Sequence, residues 1–548
     1  MTNSKKWEIL FSPKKHVVLQ SAQIIKELFK NRGLTAKKDI ANFLQGDISL
    51  VTPQAVGLDK KQLEKAVKRI EKAKEQKEQV VIFGDYDVDG ITGTAILWET
   101  LHAYGVTVTP YIPSRLEEGY GLSIAGITNL TEKIKKVKLI ITVDNGIVAN
   151  DAVAFAKEKG IDVIITDHHA VAEKLPDAFA IIHTTKLCGA GVGWLLAQRL
   201  APQENTDHLS LVALATVADL VPLTGANRIL LREGLQELHK TKRPGLLALF
   251  ADAKIEKEKI GVYEIGHVIS PRLNAMGRLA LAMDSLRLLC TKDRLRAQVL
   301  ADTLSRTNKE RQLKTIAATE HATATLAKHK GNEKLLFIAN DTYEEGIVGL
   351  VAGRLVETFY LPAIVISKGE KISKASARSI AGFNIIAFIR THQHLLLNAG
   401  GHPMAAGFSV ETEKIGELQK ALTALAKQQI SQDMLQRILK IDMQLSLANI
   451  TPDFYTALQE LSPFGIGNPE PTFVSRVVIK DVKQIGKEKN HLKLKVSQNN
   501  TIFDAIAFGM GDKAIDLKIG NSIEVVYTIA ENEWQGRKSI QLKIKDIK

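Results

Sequence analysis

Apolar and polar positions change their period several times along the 548-residue chain. The stretch LDKKQLEKAVKRIEKAKEQKEQ (58–79) spaces apolar residues among Lys and Glu as a solvated helix does. After it the pattern shifts to short β-rich runs, VVIF (80–83), VTVTPYI (106–112), LIITV (139–143) and DVIIT (162–166). Each run ends in acidic or turn residues and is followed by a helix-length segment. Strands alternating with helices predict an α/β domain on a parallel, doubly wound sheet. Ligand sites in such sheets lie beyond the carboxyl ends of the strands, so chemistry is expected directly after each run.

Residues 285–328 contain no Gly or Pro and are rich in helix formers, which predicts one long connecting helix, or two nearly continuous ones. A second α/β segment begins at KLLFIAND (334–341), continues through LPAIVIS (361–367) and reaches a glycine-rich stretch at 400–407. The Pro/Gly-dense SPFGIGNPEP (462–471) reads as a boundary. Beyond it VVIKDV, HLKLKV, SIEVVYTI and IQLKIKDI alternate apolar with polar residues, as the strands of a small OB-like β-barrel do. The expected order is a basic N-terminal helical segment (1–78), a catalytic domain (79–284), a connecting helix (285–330), a second α/β domain (331–430), a linker (431–471) and a nucleic-acid-binding barrel (472–548).

Composition narrows the partners. Lys and Arg number 73 against 60 Asp and Glu, a formal charge of +13. Residues 1–79 hold 17 of the basic residues and 9 of the acidic ones, so a positive field is concentrated there. Such a field attracts polyanions, of which nucleic acid is the commonest in a cytoplasm. Two cysteines, Cys188 and Cys290, exclude a disulfide framework and a Cys-rich zinc site. With no signal-peptide apolar core at the N-terminus and no membrane-length apolar run, a cytoplasmic protein is expected.

The candidate chemistry sits at the strand ends. GDYDVDG (84–90) puts Asp85, Asp87 and Asp89 within five residues, a crowding that calls for a cation. The string imitates the start of an EF-hand loop, but the twelfth position is Ile96 rather than a bidentate Glu, which rejects that reading. LIITVDNG ends on Asp144, DVIITDHH on Asp167, His168 and His169, and LVALATVADLVPL buries Asp219 in an apolar stretch. Carboxylates with one or two imidazoles and no thiolate suit Mn²⁺ or Mg²⁺, and there are ligands enough for two ions. A metal pair of that kind hydrolyses phosphodiesters or phosphoanhydrides.

In this order and spacing, GDYDVDG, VDNG, DHH and VADLVPL closely resemble the DHH phosphoesterase superfamily. Further segments extend the resemblance over nearly the whole chain, to the superfamily's bacterial single-strand-specific exonucleases: YIPSRLEEGYGL (111–122), SPRLNAMGRL (270–279), SARSIAGFNI (376–385) and GGHPMAAGF (400–408). The resemblance implies a DHH domain, a DHH-associated domain (DHHA1) and a C-terminal OB-like barrel. It implies Asp85, Asp87, Asp89, Asp144, His168 and Asp219 as metal ligands, with His169 on the scissile phosphate and Asp87 and Asp219 in the catalytic set. Arg115, Arg272, Arg278, Ser376 and Arg378 fall in the matched segments as substrate contacts, where guanidinium groups grip phosphate in pairs of hydrogen bonds. Gly400, Gly401 and His402 would meet phosphate or sugar.

The implied activity is 5′-to-3′ hydrolysis of single-stranded DNA to nucleoside 5′-monophosphates in DNA repair, recombination and mismatch repair, with single-strand-binding protein and a RecQ-type helicase as partners. Two rival readings are a nanoRNase or cyclic-dinucleotide phosphodiesterase of the same superfamily, and a non-catalytic replication factor that binds single strands. Aromatics are 5% of the chain, so backbone charge should dominate strand binding over base stacking. Three departures stand out. Tyr343-Glu344-Glu345 replaces the usual Trp-His before Gly346, Met276 replaces an Ala, and IIHTTKLCGAG follows DHH where Asn-Pro is common.

Overall fold

Five parallel strands form the sheet that the N-terminal apolar runs predict. In the computed structural model their order is Val108–Tyr111, Gln79–Phe83, Val137–Val143, Asp162–Asp167 and Ala180–His183. The structure describes residues 5–13, 19–114, 118–119, 121–201, 207–328 and 333–548. The fifth strand escapes a reading of apolar runs because it is four residues long and leaves alternate positions only half-buried. The central strands are buried on both faces, as a sheet covered by crossover helices requires. A helical layer follows the sheet, from His208–Ala218 to Met283–Cys290.

Two helices connect the α/β domains, Met283–Cys290 and the 35-residue Arg294–Lys328. The break has a cap: Asp293 Oδ1 accepts from the backbone N–H of Leu295 at 2.8 Å and of Arg296 at 3.2 Å. The second sheet runs in the order Leu396–His402, Ala405–Glu411, Ile372–Arg378, Ala363–Ser367 and Leu336–Asn340; only its last two strands are parallel.

The C-terminal strands Phe473–Ile485, His491–Gln498, Thr501–Ala507, Arg537–Ile547 and Ser522–Trp534 follow one another around a sheet that closes on itself, a five-stranded barrel. No described helix is long and apolar enough to cross a membrane.

The chain divides into two compact units, 47–221 with 226–435, and 1–46 with 222–225 and 436–548. This partition differs from the boundaries drawn along the sequence. The segment 1–78 is split. Its helix Ser21–Asn31 inserts Ile24, Leu28 and Phe29 into the barrel's core, and strand Lys6–Ile9 pairs with Ile438–Ile441. The helix Lys60–Glu75 belongs instead to the catalytic domain, where its Arg69 binds Asp162 at 2.6 Å and Glu78 at 2.7 Å. The 431–471 stretch is equally structured, since Phe454, Leu458 and Leu461 share the barrel core. The segment's net charge gave no signal of these memberships, because they are set by apolar side chains that find cover only in the folded barrel and, for Lys60–Glu75, by an ion pair to a residue distant in sequence.

Candidate metal centre and phosphate groove

The loop after the first catalytic strand folds back onto the helix Val88–Ala103. Asp87 caps that helix, accepting from Gly90 N–H at 3.1 Å, and Asp85 turns its Oδ1 onto Tyr86 N–H at 2.7 Å. Asp89 lies in the first turn, 1% exposed, and its two oxygens accept from the N–H groups of Gly189 and Ala190, each at 2.6 Å. These donors begin the helix Gly189–Leu200, so a buried carboxylate is anchored by a helix N-terminus. Gly189 is required there: a Cβ would sit 2.6 Å from the Cβ of Asp144.

Asp144 adopts a left-handed backbone, φ 63°, at the end of its strand. That conformation is uncommon outside glycine and carries a strain typical of functional positions. His168 Nε2 lies 3.1 Å from Asp144 Oδ1, 3.6 Å from Asp89 Oδ2 and 3.6 Å from Asp219 Oδ2. Three sets of side chains each bring their ligand atoms within 4.8 Å of one another: Asp85, Asp87 and Asp144; Asp89, His168 and Asp219; Asp144, His168 and His169.

The electrostatics of this cluster fit a cation. Burial first, then the neighbouring carboxylates Asp89 and Asp87, hold the Asp144 carboxyl well above its usual range. The same causes push Asp219 up to about 8, and burial raises Asp89. Burial lowers the His168 imidazole, favouring the neutral form that ligates metals. Asp144 Oδ1 and His168 Nε2 face each other fully buried, and neither makes a hydrogen bond. Buried acceptors without donors, among carboxylates that repel one another, are the donor set of a divalent-metal site.

Asp167 has a role that its place in the sequence did not reveal. It is 1% exposed and accepts four hydrogen bonds, from Ile147 N–H, His168 N–H, His169 N–H and His169 Nδ1. Burial would raise its carboxyl, but the His169 hydrogen bond and charge outweigh that and lower it. The converse holds for His169, which burial would lower and Asp167 carries up to about 9. Asp167 therefore orients both histidines. The only sequence signal for it is its place as the first letter of the DHH string.

A groove of about 340 Å³ is bordered by Tyr86, from the loop that carries Asp85 and Asp87, and Gly119 on the catalytic domain, and by Glu345, Lys374, Ser376 and Arg378 on the second α/β domain. Arg378 Nη1 donates to Ser376 Oγ at 3.0 Å. Lys374 pairs with Glu345 at 3.0 Å. The departures from the family string resolve into separate places. Tyr343 is buried with its hydroxyl on His321 Nδ1 at 2.8 Å, and Glu344 pairs with Lys314 at 2.6 Å. Only Glu345 of the acidic pair borders the groove.

His402, at the end of strand Leu396–His402, lies roughly parallel to the His169 ring with centroids 6.3 Å apart. Gly400 and Gly401 precede it, paired with Gly407 and Ala406. Arg278 donates to Gly346 O at 3.2 Å, where the two α/β domains meet. Arg272 is engaged inside the helical layer, with Ser305 Oγ at 3.1 Å and Val268 O at 2.8 Å. Arg115 lies outside the described residues.

A larger cavity, about 830 Å³, opens at the other end of the Val88–Ala103 helix. Its buried charges neutralise one another: Glu99 accepts from both Arg243 Nη atoms at 2.7 Å and lies 2.9 Å from His208 Nε2.

Three family models match the chain: the DHH family, N-terminal domain (79–218), the DHHA1 domain (332–428) and the RecJ OB domain (441–546). The single-stranded-DNA-specific exonuclease RecJ of Bacillus subtilis is 34% identical over 541 residues, covering 96% of this chain and 68% of that protein. The Haemophilus influenzae protein of the same name is 33% identical, with 95% of each chain covered. A crystal structure of RecJ in complex with Mn²⁺ from Thermus thermophilus superposes with a TM-score of 0.84 at 28% identity, over all of this chain and 80% of that one. The strand-end carboxylates, the two α/β domains and the closing barrel are thus those of a single lineage, and the chain belongs to the RecJ family of DHH-type single-stranded-DNA-specific exonucleases.

Proposed function

We propose that this protein is a metal-dependent exonuclease that removes nucleoside 5′-monophosphates from the 5′ end of single-stranded DNA. The observation that carries the reading is the buried, unbonded pair Asp144 Oδ1 and His168 Nε2 at the centre of a ring of carboxylates. Asp85, Asp87, Asp89, Asp144, His168 and Asp219 would hold two divalent cations, Mn²⁺ or Mg²⁺. Bound there, the ions would lower the pKa of a water and neutralise charge on the phosphate.

The remaining work falls to the chain's own groups. Water adds to phosphorus, the bond from phosphorus to O3′ of the terminal nucleotide breaks, and O3′ leaves with a proton. The freed piece is a 5′-monophosphate, and the shortened strand again begins with a 5′-phosphate. His169, kept protonated by Asp167, would donate from its other ring nitrogen to a phosphate oxygen as charge builds there. Ser376, Arg378 and Lys374 would take the terminal phosphate in the groove, and His402 would close over the nucleotide. The barrel and the basic N-terminal residues would guide the strand, and a single-strand-binding protein or a helicase would supply it during repair.

The test uses Mn²⁺ and single strands labelled at either end, beside Asp87→Ala and Asp219→Ala variants. Early release of a labelled mononucleotide from the 5′ end alone, absent in both variants, is the expected result. Activity that survives in Asp87→Ala would overturn the metal assignment.

A further inference from the structure

A short run of contacts joins the metal loop to the groove, and it passes through the helix Ser270–Leu279. Midway along that helix Asn274 Oδ1 accepts at 3.0 Å from the N–H of Val88, the residue between Asp87 and Asp89 in sequence. One turn later Gly277 meets the loop so closely that a Cβ would lie 2.4 Å from Tyr86 O. The helix then touches the second domain. A Cβ on Gly346 would lie 2.3 Å from Arg278 O, and Arg278 Nη1 donates back to Gly346 O at 3.2 Å. Three residues on, a Cβ at Gly349 would come within 3.0 Å of Ser376 Oγ and 3.1 Å of Arg378 Nη2. Tyr86, from the metal loop, borders the same groove as Ser376 and Arg378.

The joints at Gly277 and Gly346 are backbone-to-backbone approaches that only glycine permits, so the spacing across them cannot relax without moving a main chain. A loop that carries carboxylates and a groove that carries phosphate donors are held in register by two glycines and one helical turn. Hydrolysis regenerates a 5′-phosphate after every cut, so a fixed distance from that phosphate to the hydrolysed bond fixes the length of what is released.

We propose that the helix Ser270–Leu279 is the spacer that sets product length, with Gly277 and Gly346 as the positioning residues that hold the metal loop one nucleotide from the terminal-phosphate groove. The inference rests on the functional reading above. A Cβ at Gly346 pushes the second domain's turn away from Arg278 and lengthens the gap, while the metal loop keeps its own contacts.

The experiment follows the first product released from 5′-phosphorylated strands by the full-length protein with Mn²⁺. Gly346→Ala and Gly277→Ala should lose mononucleotide release by about tenfold or more, as a displacement near 1 Å would cause, and release dinucleotides or trinucleotides instead. Mn²⁺ affinity of Gly346→Ala, read by calorimetry, should stay near wild type. Gly353→Ala is the control, because a Cβ there meets nothing within 4 Å. Variants that still release only mononucleotides, however slowly, would overturn the spacer. Should neither variant fold, the wild type decides. A 5′-hydroxyl strand, which offers the groove no phosphate, should give a spread of first-product lengths, and a lone mononucleoside from it would overturn the proposal. A wild type that releases nothing from a 5′ end would instead remove the functional reading itself, and the spacer with it.

Discussion

Two buried charge clusters lie near opposite ends of the helix Val88–Ala103. Near its C-terminal end Glu99 is enclosed by Arg243 and His208, and although burial acts against it, those hydrogen bonds and charges lower its carboxyl to about 2. Near its N-terminal end Asp89 is more deeply buried and faces Asp87, Asp144 and Asp219, and its carboxyl is raised. A carboxylate on the same helix is stabilised in one place by its cationic partners and held at a cost in the other, where burial is deeper and the neighbours are acids. Satisfied ion pairs serve folding, whereas an unsatisfied acidic cluster persists where a ligand completes it. The larger cavity belongs to the satisfied cluster and the chemistry to the unsatisfied one.

That contrast breaks or holds in measurable ways. The largest expected effect is on turnover: Asp87→Ala should lower nuclease activity by about 10³-fold or more, as loss of a charge-stabilising group in the site does. The matching Asp144→Asn should leave the melting temperature of the metal-free protein unchanged or raised, because a buried like charge is removed. A clear drop there would mean that the cluster is a folding device after all.

Next comes Arg243→Ala, which strands Glu99 without its partner and should cost about 3–5 kcal/mol in a denaturant titration. Retained stability would show that the far cluster is not the structural one. Asp167→Asn is smaller, about 10–100-fold in kcat, with Mn²⁺ binding weakened less than in Asp87→Ala, because Asp167 orients histidines rather than holding the ion in the proposed arrangement.

The two clusters should also titrate with opposite sign. Glu99, lowered from 4.5 to about 2, contributes stability above pH 4.5 that is lost as pH falls through that window toward 2. Asp219, raised from 3.8 to about 8, is the reverse: in metal-free protein its contribution is complete below pH 3.8 and is lost as pH rises toward 8. Thermal melts with and without Mn²⁺ between about pH 5 and 8, where of these two carboxyls only Asp219 titrates, should diverge progressively as pH rises. Parallel curves would count against the cation. The mildest expectation is that strand binding weakens steeply between low and moderate salt, since a chain with 5% aromatic residues and a formal charge of +13 should bind chiefly through backbone charge; a flat profile by filter binding would count against a charged path for the strand.

How much of this was legible varies with distance along the chain. Asp85, Asp87, Asp89, Asp144 and His168 are readable because a parallel sheet brings its strand ends to one edge, whatever the loops do. Asp219 follows from the cost of leaving a carboxylate in an apolar run. Asp167 lay in plain view beside the two histidines, yet spacing does not distinguish an acid that meets a metal from one that aims its neighbours. The bond from Val88 to Asn274 spans 186 residues, and that from Arg278 to Gly346 spans 68. Neither carries a periodicity.

The sequence by itself determined which residue types gather at the strand ends, and therefore the metal chemistry and the family, because these follow from local alternation and from charge that cannot be buried alone. Only the tertiary structure decided which acid aims the histidines, that residues 5–13 and 19–46 belong with the barrel through contacts such as Asn449 to Leu19, 430 residues apart, and that two glycines lock the metal loop to the groove. Those features depend on close packing between segments remote in sequence, and packing is settled only when every partner has taken its place.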